Sequence, residues 1–203
     1  MASDTFGFLT DQNTLWAVFL GAILATIGGF SATLLERHLD RRERERDAAL
    51  FFGEVLSTLA IIVRFADETR KIGDPYGPVT MRLLRSARNE LDIYDRNRET
   101  LFNLGDSDLR ASIQTLAIRL SMPLDGVIDA AAELKGLQAQ LKGQRDAAER
   151  EEIAQMIRAA EARREAGYVL MLETAARLKD AVAKLEPVAR HSFDRIDAIA
   201  RAG

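Results

Sequence analysis

At 203 residues the chain has room for a membrane anchor plus one domain of ordinary size, and its length gives no reason to expect a second core. Lys and Arg total 28 against 31 Asp and Glu, a net charge of -3, which argues against a basic nucleic-acid-binding face, so no nucleic-acid partner is expected. The absence of Cys excludes disulfides, thiolate metal sites and Cys nucleophiles. His38 and His191 are too few and too far apart for a His-based metal site. Few Pro and aromatic residues beside abundant Ala, Leu, Arg and Glu favour an all-α fold.

Residues 1–14 read as a short extracytoplasmic tail in which Phe6, Phe8 and Leu9 either dip into a headgroup layer or belong to a disordered end. The tail holds Asp4 and Asp11 but no Lys or Arg, which argues against a cleaved signal peptide. Residues 15–35, LWAVFLGAILATIGGFSATLL, are uncharged. At about 1.5 Å per residue they span a hydrocarbon core of roughly 30 Å, so they are expected to form a transmembrane helix. Apolarity all round this helix argues against the alternative of a buried core helix in a soluble protein. Trp16 is placed as an interface anchor.

Arg37, Arg41, Arg42, Arg44 and Arg46 crowd the C-terminal flank, so the positive-inside rule keeps that side in the cytoplasm. The expected location is the cytoplasmic (inner) membrane, single-pass, with the N-terminus outside and the C-terminal domain inside. Within the span, Ala17, Gly21, Ala25, Gly29 and Thr33 recur every fourth residue as a ridge of small side chains suited to helix–helix packing. Two readings stand: homo-oligomerisation through the span, or a monomeric anchor with incidental glycines. Thr26, Ser31 and Thr33 satisfy their hydroxyls on carbonyls one turn back, and no ionisable side chain marks a conduction path.

Residues 36–49 mix both signs, and Asp40 with Arg44, Arg42 with Glu45, and Glu43 with Arg46 fall at helical neighbour spacing. The spacing predicts a charged juxtamembrane helix that continues from the span to about Lys71. Residues 50–186 read as a cytosolic antiparallel bundle of about four long helices. The first buries Phe52, Leu56, Leu59, Val63 and Ala66 and ends at GDPYGP, a turn that is also a candidate contact surface. Gly53, inside this helix, weakens it slightly.

A second helix over about Val79 to Asn103 presents Leu84, Ala87, Leu91, Tyr94 and Leu101 and stops at Gly105. A third, capped by Asp106 or Ser107, runs to Gly143 and should bend at Pro123, as a static bend or as a hinge. A fourth, from about Ala147 to Glu186, is closed by Pro187. Residues 187–203 form a C-terminal tail or a short helix through Val188, Phe193, Ile196 and Ile199.

No Glu-x-x-His pair, phosphate loop or nucleophile elbow occurs, so no cofactor, metal or catalytic residue is assigned and the chain is expected not to be an enzyme. Adjacent carboxylates such as Glu151 and Glu152 read as a solvated face. Arg64, Arg98, Arg119 and Arg164 sit near predicted core edges, with stems buried and heads reaching water or an acid. Tyr94 and Tyr168 are placed as core residues with satisfied hydroxyls.

The segments LFFGEVLSTLAIIVRF and RNELDIYDRNRETLFNLGDSDLRASIQTLAIRL resemble those of uncharacterised bacterial single-span membrane proteins with a cytosolic helical domain. The resemblance covers about Leu15 to Gly136 and implies architecture and a bacterial inner membrane, with no functional residue to carry over. The expected function is a non-enzymatic, membrane-anchored interaction or regulatory module that touches membrane lipid and a cytosolic protein. The alternative is a small transport or pore-forming subunit assembled through the single span; the absence of intramembrane charge counts against it.

Overall fold

The computed structural model describes residues 12–195 and Ala198; for residues 12–18, 27, 32 and 33 it describes the backbone alone. The expected readings of the tail at Phe6, Phe8 and Leu9, and of Ile196 and Ile199, lie outside the described residues. The chain is all-helical, with α1 (Gln12–Ile72), α2 (Pro78–Arg96), a 3-10 turn (Arg98–Asn103), α3 (Ser107–Gly143), α4 (Ala147–Ala176) and α5 (Leu178–Ala189). Contacts divide it into two compact units, one up to Arg44 and one from Glu45 onward.

In the first unit α1 carries its apolar side chains in the open: Phe30, Leu24 and Leu35 are 67, 63 and 60% exposed. Thr26 Oγ1 donates to the Ala22 carbonyl at 2.8 Å, so its hydroxyl is satisfied within the helix as expected. Among the described residues, none of the ion pairs that the spacing of the charged stretch offers is formed. Arg44 donates instead to the backbone carbonyl of Asp40 at 3.2 Å. Glu45 and Arg46 are engaged by the second unit, where element ends offer backbone groups that lack helical partners.

That unit is built on one stripe of α1. Phe52, Leu56, Leu59, Val63 and Ala66 are all buried, as their 3-and-4 spacing requires. Basic residues Arg70 and Lys71 close the helix, where positive charge suits the dipole. Pro78 opens α2 at a position where a missing N–H costs nothing. The second predicted helix is shorter than expected, because the Asn97 side chain donates to the Ile93 carbonyl at 2.8 Å and its own carbonyl accepts from Thr100 Oγ1 at 2.8 Å. This side-chain competition ends α2 and turns the chain into a 3-10 segment that still buries Leu101.

Asp106 caps α3, its Oδ1 accepting from the amides of Asp108 and Leu109 at 2.8 and 3.0 Å. These bonds hold its carboxyl below the usual range. The helix continues through Pro123, which is buried, to Gly143. Opposite that proline, Gly167 of α4 permits a close approach: a Cβ there would lie 3.1 Å from Val127 Cγ2 and 3.2 Å from the Pro123 carbonyl oxygen. Beyond this point α3 and α4 pair as a helical hairpin with a small core of Leu134, Leu137 and Ala160.

The fourth predicted helix does not reach Glu186. It breaks at Arg177, between α4 and α5, and Pro187 lies inside α5 without ending it. Thr174, buried one turn before the break, donates to the Leu170 carbonyl at 2.9 Å, which weakens the local helical ladder. Pro187 is tolerated because it sits on the exposed side of the last turn. Arg190 then takes a left-handed conformation (φ 52, ψ 39) and reverses the chain.

The reversal brings Phe193 onto α1. Its ring lies where a Cβ on Gly53 would be, with Cζ only 2.0 Å from that position. Glu186 Oε1 fixes the segment by accepting from the Phe193 amide at 2.9 Å. Arg46 Nε donates to the Ala189 carbonyl at 3.2 Å. Glu45 Oε1 accepts from the Gly105 amide at 2.7 Å, tying α1 to the end of the 3-10 segment.

Candidate functional site

In the first unit, the backbone of residues 12–44 is helical throughout. Gly21, Ala25 and Gly29 fall on it at the expected four-residue interval, and a Cβ at Gly21 or Gly29 meets no atom within 4 Å. The side chains of Trp16, Ala17 and Thr33 lie outside the described residues. Arg37, Arg41, Arg42 and Arg44 are exposed in this unit. Arg46 belongs to the second unit and, besides its charge, holds the end of α5.

In the second unit Gly73, Asp74, Pro75 and Pro78 of the GDPYGP turn are exposed, while Tyr76 is half-buried and Gly77 buried. Asp74 organises the turn: its carbonyl accepts from the Gly77 amide at 3.0 Å and its Oδ1 from the Tyr76 amide at 3.1 Å. Tyr76 is thereby turned inward and half-buried, with its hydroxyl donating to Glu165 Oε2 at 2.7 Å. Arg70 of α1 pairs with the other oxygen of Glu165. The Arg70 guanidinium lies 4.3 Å from the Tyr168 ring centroid, and that of Arg164 lies 3.7 Å from the Tyr76 ring. Tyr76 and Tyr168 meet edge to face at 5.8 Å.

The electrostatics follow from these contacts. Hydrogen bonds from Tyr76 and Arg70 pull the Glu165 carboxyl below its ordinary range. Burial, reinforced by the bond to Glu165, pushes the Tyr76 phenol well above its ordinary value. Burial also raises Tyr168, to about 12. Both phenols are therefore neutral at physiological pH, and the cluster is a structural clamp across α1, the turn and α4.

The four arginines expected at core edges divide. Arg64 and Arg164 are half-buried, whereas Arg98 and Arg119 are exposed because their positions rotate away from the core. Tyr94 and Tyr168 are buried as expected, but their hydroxyls find no hydrogen-bond partner among the described residues. Near Tyr168, the Glu165 carboxylate is already engaged by Tyr76 and Arg70.

Two concavities stand out among the described residues. One, of about 380 Å³, lies between α1, α4, α5 and the Phe193 segment; Ile61, Leu172 and Val182 line its apolar wall and Arg64, Asp67 and Lys179 its charged one. The other, of about 820 Å³, opens between the Asp74–Pro78 turn, the first turns of α2, and facing stretches of α3 and α4. Sequence reasoning found neither, because each draws its walls from at least three elements. Comparison of the chain with protein-family models, with curated proteins and with solved structures gives no match.

Proposed function

We propose that the chain is a non-enzymatic, membrane-anchored interaction or regulatory module. In this reading α1 crosses the inner membrane near its N-terminus and the residues after Arg46 form a cytosolic antiparallel helical bundle offered to a protein partner. The observation that carries the reading is the exposed apolar surface of α1. Phe19, Leu20, Leu24, Phe30, Leu34 and Leu35 are each at least half exposed on a helix long and apolar enough to cross a bilayer. Covering such side chains is worth about 1.5–3 kcal/mol each, and lipid does so over the whole circumference at once. The arginines that follow support a cytoplasmic second unit through the positive-inside bias.

The test is fractionation of cells producing the full chain. The expected result is recovery in the membrane pellet, release by detergent but not by alkaline carbonate, and protection of the second unit from protease added outside intact spheroplasts. Recovery in the detergent-free supernatant overturns the anchor, and digestion of the second unit from outside overturns the orientation.

A further inference from the structure

We propose that the 820 Å³ cleft of the second unit binds a multiply charged phosphate-bearing anion, free or as a lipid headgroup. Arg82 and Arg85 of α2, Lys135 of α3 and Arg164 of α4 converge on it from three helices, against two acids, Asp74 and Glu161. This excess of positive charge runs counter to a chain whose net charge is -3. Three cationic side chains on these helices outside the cleft pair with acids, Arg88 with Asp92 and Asp125, Arg163 with Glu133, and Arg158 with Glu151, whereas others such as Arg119 and Arg150 are solitary on exposed faces among the described residues.

The cleft cations are solitary too, but they are gathered in one place. At three and four residues on either side of Arg82, Arg85 and Lys135 the sequence supplies no acid. None of the four makes an ion pair among the described residues, and Arg164 lies against Tyr76 with its Nε buried and without an acceptor. Asp74, one of the two acids of the cleft, accepts from the Tyr76 amide through Oδ1 and forms no ion pair with the four cations among the described residues.

The positive end of α2 adds to the field at the same place. Its cap is Gly77, no side chain bonds to its first amides, and its first turn carries no acid. Holding like charges together costs free energy that an anion recovers. Charges on three separate elements suit a ligand with several anionic oxygens better than a single carboxylate, and guanidinium forks match phosphate oxygens in pairs. The volume falls in the range of small-molecule sites, about 300–1,000 Å³.

The test is isothermal titration of the full chain, in an uncharged detergent, with sodium tripolyphosphate. A parallel arm holds the chain in phosphatidylcholine nanodiscs, which cover its proposed anchor, and measures flotation with vesicles of phosphatidic acid in phosphatidylcholine. The expected result is saturable binding to at least one probe that weakens tenfold or more in the Arg82→Gln, Arg85→Gln double variant and falls steeply with added salt. Both side chains are exposed, so the variant retains its helical circular dichroism. Arg163→Gln, which removes a cation of α4 outside the cleft, leaves binding within twofold. Tripolyphosphate binding assigns a soluble ligand, and vesicle binding alone, if abolished by the double variant, assigns a headgroup. Absence of saturable binding to either probe, or binding that the double variant leaves intact, overturns the proposal.

Discussion

Gly53 occupies the middle of α1, where alanine is the better helix former, yet the Phe193 ring fills the space a side chain would need. Gly53→Ala is therefore expected to lose about 1–3 kcal/mol by overpacking, despite its gain in helix propensity. For a domain of this size that lowers the melting temperature by about 2–4 °C per kcal/mol, measurable by thermal denaturation. A Gly53→Ala, Phe193→Ala double variant should lose less than the sum of the two single losses, because the clash is shared. Equal or greater stability of Gly53→Ala would show that Phe193 does not seat against α1. In the sequence this glycine reads only as a slight weakness, since the residue that explains it lies 140 positions away. Tyr94 shows the same limit from the other side: its place in the core was legible from helical spacing, but the fate of its hydroxyl depends on neighbours from other helices.

Between elements, the contact that joins α1, the turn and α4 is the Glu165 carboxylate with Arg70 and Tyr76. Its pKa is depressed by those partners, so its contribution to stability is present above the unfolded carboxylate value of about 4.3 and is lost as pH falls through the lower folded value. Half-exposed in solvent, Glu165 is expected to contribute at most about 1 kcal/mol. Glu165→Gln should lower the denaturation midpoint at pH 7, and its difference from the parent should shrink as pH falls through the depressed folded value. A difference that persists undiminished at pH 3 would rule out the ionic origin. Helix limits were legible where the chain carries its own punctuation, as at Pro78, Asp106 and Gly143. The break at Arg177 was not, because no Gly or Pro marks it. Pro187 misled for the converse reason, as a proline on the outer side of a last turn need not stop a helix.

For the whole molecule, the proposed anchor makes self-association a matter of the glycines on α1. A Cβ added at Gly21 or Gly29 meets no atom within 4 Å, so a Gly21→Leu, Gly29→Leu variant tests the ridge with circular dichroism as its check on the fold. If the small-residue ridge packs two copies together, crosslinking of this variant in native membranes falls at least severalfold relative to the parent. Unchanged crosslinking would remove the ridge from the proposal. The sequence by itself determined the helical class, the apolar stretch, the core stripe of α1 and the turn after it, because each depends on residues a few positions apart. Tertiary structure alone decided that Phe193 closes over Gly53, that Tyr76 faces inward, and that four cations converge on one cleft. Those facts depend on side chains brought together from distant segments, and periodicity along a chain carries no record of which helix faces which.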